Sequence, residues 1–290
     1  MNLNLGLSSY EARFRWLAVV WAILMTIWCM CPLPWQIRLT GAIIWVAITV
    51  IISLLIAWWR PRSEREVPIF LCFNNVAEKP TDPDHPERTI RPNDLETLII
   101  KLKAAGYRLL TTSEAAAHPD LKSVVLTFDG GARDGFFSLY PILRKHNAKA
   151  TCLIPECLPT DDDRLKVLEI KEMARSGLVE FGAIVSPKQA QSPTLTQDIV
   201  RTRHWMTGVL GSLPVAFALP DCPEAEAVKE AALAVGYRYI LTKGKYMRPV
   251  DEAPDDIHRR VIPGNRKPLQ LYLLATRGRY RVGSTAKQSR

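Results

Sequence analysis

From Val67 onward, apolar runs of strand length alternate with amphipathic stretches, and this alternation restricts the fold more than any other feature of the chain. The runs stand at 67–73, 123–128, 149–154, 178–184, 215–219, 237–242 and 269–275. Helical spacing lies between them at 136–146, 164–176, 195–210 and 223–235. In "PNDLETLIIKLKAAGYRLLT", Leu95, Leu98, Ile99 and Leu102 share one helical face, Asn93 or Asp94 can cap the start, and Gly106 stops the helix. Strands that alternate with helices predict a parallel sheet covered on its outside, either closed as a barrel or open and doubly wound. In both architectures a site belongs in the loops at the carboxyl ends of the strands. Asp129 follows the run 123–128 directly, and Gly130 and Gly131 let the chain turn sharply after it. A lone Asp in such a position also serves as a helix cap or a loop hydrogen-bonder.

The first 66 residues read differently. Residues 16–37 and 39–59 carry no charge, and each run reaches the roughly 20 residues that a helix needs to cross a bilayer. Trp16, Trp21, Trp28 and Trp35 mark the first run, and Trp45, Trp58 and Trp59 mark the second. Pro32 and Pro34 break the chain between them. The expectation is a two-helix transmembrane hairpin, with spans at about 16–35 and 40–59, anchoring a multi-pass protein of the inner (cytoplasmic) membrane. A cleaved signal peptide is the competing reading of the first run. Arg13, Arg15, Arg60, Arg62 and Arg65 flank the pair and only Arg38 lies in the connection, which would put both ends on the cytoplasmic side.

The formal net charge of +9 is spread over the chain, with clusters only at 60–65 and around Arg277, Arg279 and Arg281. No nucleic-acid-binding motif accompanies it, so a nucleic-acid partner is not expected. The six cysteines form no Cys-x-x-Cys pair, which favours free thiols in a reducing compartment over a Cys152–Cys157 bridge. His85, His118, His146, His204 and His258 are isolated rather than set at ligand spacing. Of these, His258 beside Asp255 and Asp256 retains a candidate binding role, with Asp134 and Asp221. Asp161 to Asp163 read as a cap for a helix that starts near Arg164.

The stretch Thr127-Phe128-Asp129-Gly130-Gly131 resembles the first motif, T-F-D-D-G, of the polysaccharide deacetylase family, the NodB homology domain. "IRPNDLETLIIKLKAAGYRLLTTSE" upstream and "ARDGFFSLYPILRKHNAKAT" downstream extend the resemblance over 67–155, toward the branch that acts on poly-N-acetylglucosamine, and more weakly to 276. The implied fold is a distorted (β/α)7-type barrel over 67–276, followed by a basic, disordered tail at 277–290. In active members the first Asp is the general base, while the second Asp and two His of an H-x-x-x-H segment hold a divalent metal. The metal polarises the acetyl carbonyl and acidifies its water, and the carboxylate takes the proton.

Carried over residue by residue, Asp129 matches the base and Gly130 replaces the metal-binding Asp. Ile184 and Lys188 stand at the two His positions, within Glu180 to Lys188. An alkyl group cannot ligate a metal, and an ammonium repels one. Phe73 and Asn74 replace the early Tyr-His of the family, "FALPDC" around Pro220 replaces its third motif, and Ala275 and Thr276 stand where the final strand carries its His.

Hydrolysis of a non-peptide C–N bond is the activity that the resemblance implies, and loss of that chemistry is what these substitutions predict. No metal or other cofactor is expected. Three readings remain open: a membrane-anchored, glycan- or protein-binding descendant, a deacetylase with a rebuilt zinc, cobalt or nickel site, and an accessory subunit of a membrane glycan synthase. The corresponding partners are the membrane, a glycan or lipid-linked sugar, and a membrane glycosyltransferase. The family works on exported polymer, which favours the extracytoplasmic side against the arginine bias.

Overall fold

The computed structural model describes residues 34, 40–41, 44–51, 68–79, 86–155, 163–244 and 253–276. Met1–Pro61 and Arg62–Arg290 form separate compact units. In the second unit, seven parallel strands close into a barrel. They are β1 (Ile69–Phe73), β5 (Ser123–Asp129), β6 (Ala150–Pro155), β7 (Val179–Ile184), β8 (Ala216–Ala218), β9 (Tyr239–Lys243) and β10 (Ile257–Val261). Each strand from β5 onward pairs with the next, while β1 pairs with β10 on one edge and with β5 on the other. Two-residue strands β2 (Asn75–Val76) and β3 (Thr89–Ile90) pair with each other, and β4 (Arg108–Leu109) adds to the start of β5. Parallel strands require crossovers, and these carry the helices α1 (Pro92–Ala104), α2 (Thr112–Ala117), α3 (Tyr140–His146), α4 (Val167–Arg175), α5 (Pro187–Ala190), α6 (Leu195–Leu210) and α7 (Ala225–Val235), while α8 (Pro268–Thr276) follows the last strand.

Strands covered on both faces need apolar residues at consecutive positions, and β1 and β5 are buried along their whole length. Alternation then divides them between two cores. Phe70, Val125, Leu153, Ala218, Leu241 and Ile257 fill the barrel interior. Ile69, Leu71, Val124, Leu126 and Phe181 face outward under Leu95, Leu98, Ile99, Leu102 and Ile199 of the helices. This arrangement settles the choice between a closed and an open sheet in favour of the barrel.

Three expectations need correction. Residues 269–275 form not a strand but α8, with Leu271 and Ala275 buried one turn apart; a short apolar run fits either element, and Pro268 in its first turn favours the helix. The strand that takes its place is β10, "IHRRV", whose charges disguise it: only Ile257 and Arg259 are buried, and His258 and Arg260 are half-buried. Neither Asn93 nor Asp94 caps α1. Arg91 holds the cap position, and the buried Asp94 in the first turn accepts its guanidinium at 2.7 Å.

The membrane assignment is also corrected. The span expected at 16–35 and most of that at 40–59 lie outside the described residues, as do Arg60 to Arg65, His85, Cys157, Asp161 and Asp162, and the tail 277–290. Residues 44–51 are helical, with Ile44, Val46, Ile48, Val50 and Ile51 exposed. Among the described residues, no helix is long and apolar enough to cross a membrane. The expected multi-pass inner-membrane protein is contradicted by that finding, and the sidedness inferred from the arginines goes with it. Absence of charge permits a span without requiring one, because the helix must also run unbroken for about 20 residues.

Gly182 stands at a tight approach between strands of the barrel. A Cβ there would lie 2.5 Å from the Ala216 carbonyl oxygen and 2.8 Å from Leu153 Cδ2. Gly182→Ala is expected to destabilise the barrel by about 1–3 kcal/mol in urea unfolding. Gly208→Ala, inside α6 with nothing within 4 Å, should instead stabilise by about 0.5–1 kcal/mol.

Candidate functional site

Asp129 is the last residue of β5, and its side chain enters the barrel at the carboxyl end, on the same face as Val125 and Thr127. It is 5% exposed, and Arg259 of β10, which reaches it past β1, is 0% exposed. Arg259 Nη1 donates to Asp129 Oδ1 at 2.5 Å and Nη2 to Oδ2 at 3.1 Å, a two-point pairing of planar fork and carboxylate. Nη1 also donates to Thr127 Oγ1 at 3.1 Å, and that hydroxyl donates to the Leu71 carbonyl at 2.9 Å. Cys72 Sγ donates to Asp129 Oδ2 at 3.4 Å. One hydrogen-bonded group thus ties β5, β10 and the β1 strand between them.

Electrostatics follow from burial. Desolvation opposes the charge on Arg259, yet the neighbouring Asp129 carboxylate outweighs it and holds the guanidinium above its ordinary pKa. Desolvation pushes the Cys72 thiol up to about 11 despite the opposing guanidinium, and the Cys152 thiol up to about 12. Both are therefore protonated and poor nucleophiles. Cys152 is free, so it forms no bridge with Cys157.

A divalent metal of the kind that the resemblance implies does not fit the donors present. Gly130 has no side chain, and its φ of +107° suits glycine while straining any residue with a Cβ. Arg164 Nη1 donates to the Gly130 carbonyl and would stand 3.9 Å from a Cβ placed on that residue. Residues 163–165 lie against this loop: Arg133 N–H donates to the Asp163 carbonyl at 2.8 Å and Leu165 N–H to the Gly131 carbonyl at 3.1 Å. Asp163 therefore does not cap the next helix, which begins at Val167. At the end of β7 stands Ile184, and Lys188 is exposed on α5. The motif that would supply oxygen and imidazole ligands supplies instead a backbone carbonyl, an alkyl group and an ammonium, with the guanidiniums of Arg164 and Arg259 nearby.

The other expected site residues are not brought to Asp129. Asp134 Oδ2 accepts the Val76 N–H at 2.8 Å, so it ties β2 to the turn that follows β5. Desolvation pushes this carboxyl up to about 6, a value suited to proton transfer. However, the space beside it, walled by Asn74, Phe128, Leu139 and Cys152, measures only about 10 Å³ and holds no substrate. Asp221 is exposed in the loop after β8. His258 precedes Arg259 but points away from the barrel centre, with Nε2 3.2 Å from Asp256 Oδ1. Sequence reasoning missed Arg259 itself. The available signal was a strand-end carboxylate with no metal-ligand residue types at the aligned motif positions, because a buried charge needs a counter-charge.

A scan of protein families matches residues 116–240 to the family described as polysaccharide deacetylase. The chain carries a polysaccharide deacetylase domain of the NodB type. YxkH of Bacillus subtilis, provisionally named a polysaccharide deacetylase, is 27% identical over 223 residues, covering 72% of this chain and 76% of YxkH. The Streptococcus pyogenes deacetylase PplD, solved with acetate, superposes with a TM-score of 0.60 at 21% identity, covering 72% of this chain and 97% of PplD. BC0361, a polysaccharide deacetylase from Bacillus cereus, gives 0.64 at 17% identity over 73% and 70% of the two chains. A de-N-acetylase from Aggregatibacter actinomycetemcomitans gives 0.57 at 19% identity over 71% and 99%. At these identities the solved structures share the fold of the deacetylase domain, and they agree with its closed parallel barrel.

If Asp129 serves the deacetylase domain as half of an internal ion pair, removing either partner leaves a buried charge. Arg259→Met and Asp129→Leu should each destabilise by about 3–5 kcal/mol in denaturant unfolding, and the double variant should recover most of that loss. Asp134 allows a separate test. Its raised pKa means that the folded state holds the proton more tightly than the unfolded state, so this stability is present below about pH 4 and is lost as pH rises through about 6. Asp134→Asn should therefore raise stability at pH 8 by about 1–2 kcal/mol and leave it nearly unchanged at pH 4, as followed by thermal melts.

Proposed function

We propose that this domain is a glycan-binding member of the polysaccharide deacetylase family that does not carry out metal-dependent hydrolysis. The observation that carries the reading is the Arg259 guanidinium closed onto both oxygens of Asp129. A general base needs an oxygen that water can reach, and Asp129 is 5% exposed with both oxygens turned to a buried cation. Gly130, Ile184 and Lys188 in place of the family's ligands support the same reading, because no metal-activated water then stands beside the carboxylate. The barrel retains a cleanly divided inner and outer core, as a scaffold kept for recognition requires. Glycan, whether polymeric or lipid-linked, is the ligand class that the family relationship favours.

The full-length chain should show no stoichiometric metal by elemental analysis. With added zinc, cobalt or nickel it should release no acetate from N-acetylglucosamine oligomers, and Asp129→Asn should not change that. Stoichiometric metal together with turnover that Asp129→Asn abolishes would replace this proposal with that of a deacetylase with a rebuilt site.

A further inference from the structure

The chain does not pass from β5 into α3 as a regular α-helix. Gly135–Leu139 is wound as a π-helical turn, a rare conformation often found where function demands an altered side-chain register. It sets three aromatic rings together on the outside of the barrel. Phe136 packs edge-on against Phe137 at 5.3 Å and stacks on Tyr140 at 5.8 Å. Tyr140 is buried and Phe136 packs on the core, so both are held rigidly, whereas Phe137 is 62% exposed. The rings form, with Pro141, Arg144, Lys145 and Glu172 of α4, an open depression of about 650 Å³, large enough for a small chain of sugar rings.

The polar groups around the rings narrow the chemistry of an occupant. Arg133 lies over Phe137 at 5.3 Å but is paired with Glu169 at 2.9 Å, and Lys145 is paired with Glu96 at 2.7 Å. Arg144 lies over Tyr140 at 5.7 Å and pairs with no carboxylate among the described residues, and exposed Glu172 pairs with no cation among them. What remains is an exposed ring flanked by one free donor and one free acceptor, with their charges balanced. A polyanion would be attracted to Arg144 but repelled by Glu172, and a polycation the reverse. A neutral pyranose satisfies all three features: its polarised C–H face meets the electron-rich ring, its oxygens accept from Arg144 and its hydroxyls donate to Glu172.

From this geometry we infer that Phe137, supported by Phe136 and Tyr140 and flanked by Arg144 and Glu172, forms a surface site for a neutral pyranose chain, outside the barrel mouth that holds Asp129. The inference rests on the glycan-binding reading and gives it a location. Tight fixation is not required, because each stacked ring contributes modestly and a polymer offers many rings.

The test is calorimetric titration of the full-length chain with cellotetraose, chitotetraose and the cationic glucosamine tetramer. The two neutral oligomers should bind and the cationic one should bind more weakly; comparing the neutral pair shows whether an acetamido group contributes. Phe137→Ala should weaken binding about tenfold with an unchanged melting temperature, Phe137→Trp should retain it with a shift in fluorescence on titration, and Arg144→Ala and Glu172→Ala should each weaken it several-fold. Undiminished affinity in Phe137→Ala would overturn this site while leaving glycan binding by the domain intact. Failure of the folded chain to bind any of the three oligomers would overturn both.

Discussion

The carboxyl end of the barrel depends on one buried ion pair. Asp129 and Arg259 lie on strands separated by β1, and their pairing, extended through Thr127 and Cys72, ties all three strands at one level of the barrel. A carboxylate excluded from water must bind a metal, give up its charge or find a cation. With Gly130, Ile184 and Lys188 in place of metal ligands, the cation comes from within the chain. A residue type suited to catalysis thereby becomes part of the barrel's internal structure, and the same contacts that stabilise it withdraw its oxygens from solvent.

The neighbouring loop is closed by contacts of its own. Gly130 takes a backbone conformation that an aspartate would adopt only under strain, and Arg164 fills the space beside it while residues 163–165 pair with residues 131–133. Restoring a single metal ligand would have to displace a guanidinium and re-form the turn. Just downstream, the π-helical turn carries an exposed ring on the outer surface, beside Arg144 of α3 and Glu172 of α4.

Much of this architecture was legible in the order of the residues. The apolar runs at 67–73, 123–128, 149–154 and 178–184 become β1, β5, β6 and β7, because strands covered on both faces can be built only from near-continuous apolar residues. The helix expected at 195–210 forms over Leu195–Leu210, whose start and Gly211 stop are written locally. The assignment failed where burial is not apolar: "IHRRV" is a barrel strand whose charge is satisfied by a partner 130 residues away, which no local pattern reveals. It failed again at 269–275, where an apolar run of seven residues broken only by Gln270 fits a strand or a buried helix equally well.

By itself, the sequence determined the alternation of strands and helices, the resemblance to deacetylases and the presence of Gly130, Ile184 and Lys188 at the aligned ligand positions, because each is a property of local residue type and order. Tertiary structure decided what the Asp129 carboxylate touches. Which partner Asp129 meets depends on the side chain that the closed barrel brings to it, and closure sets Arg259 there. The same holds for Asp134, whose proton affinity reflects how little water reaches it, and for Phe137, whose exposure follows from the winding of a single turn. Burial and proximity are properties of the folded surface, and residue order constrains them only through the fold.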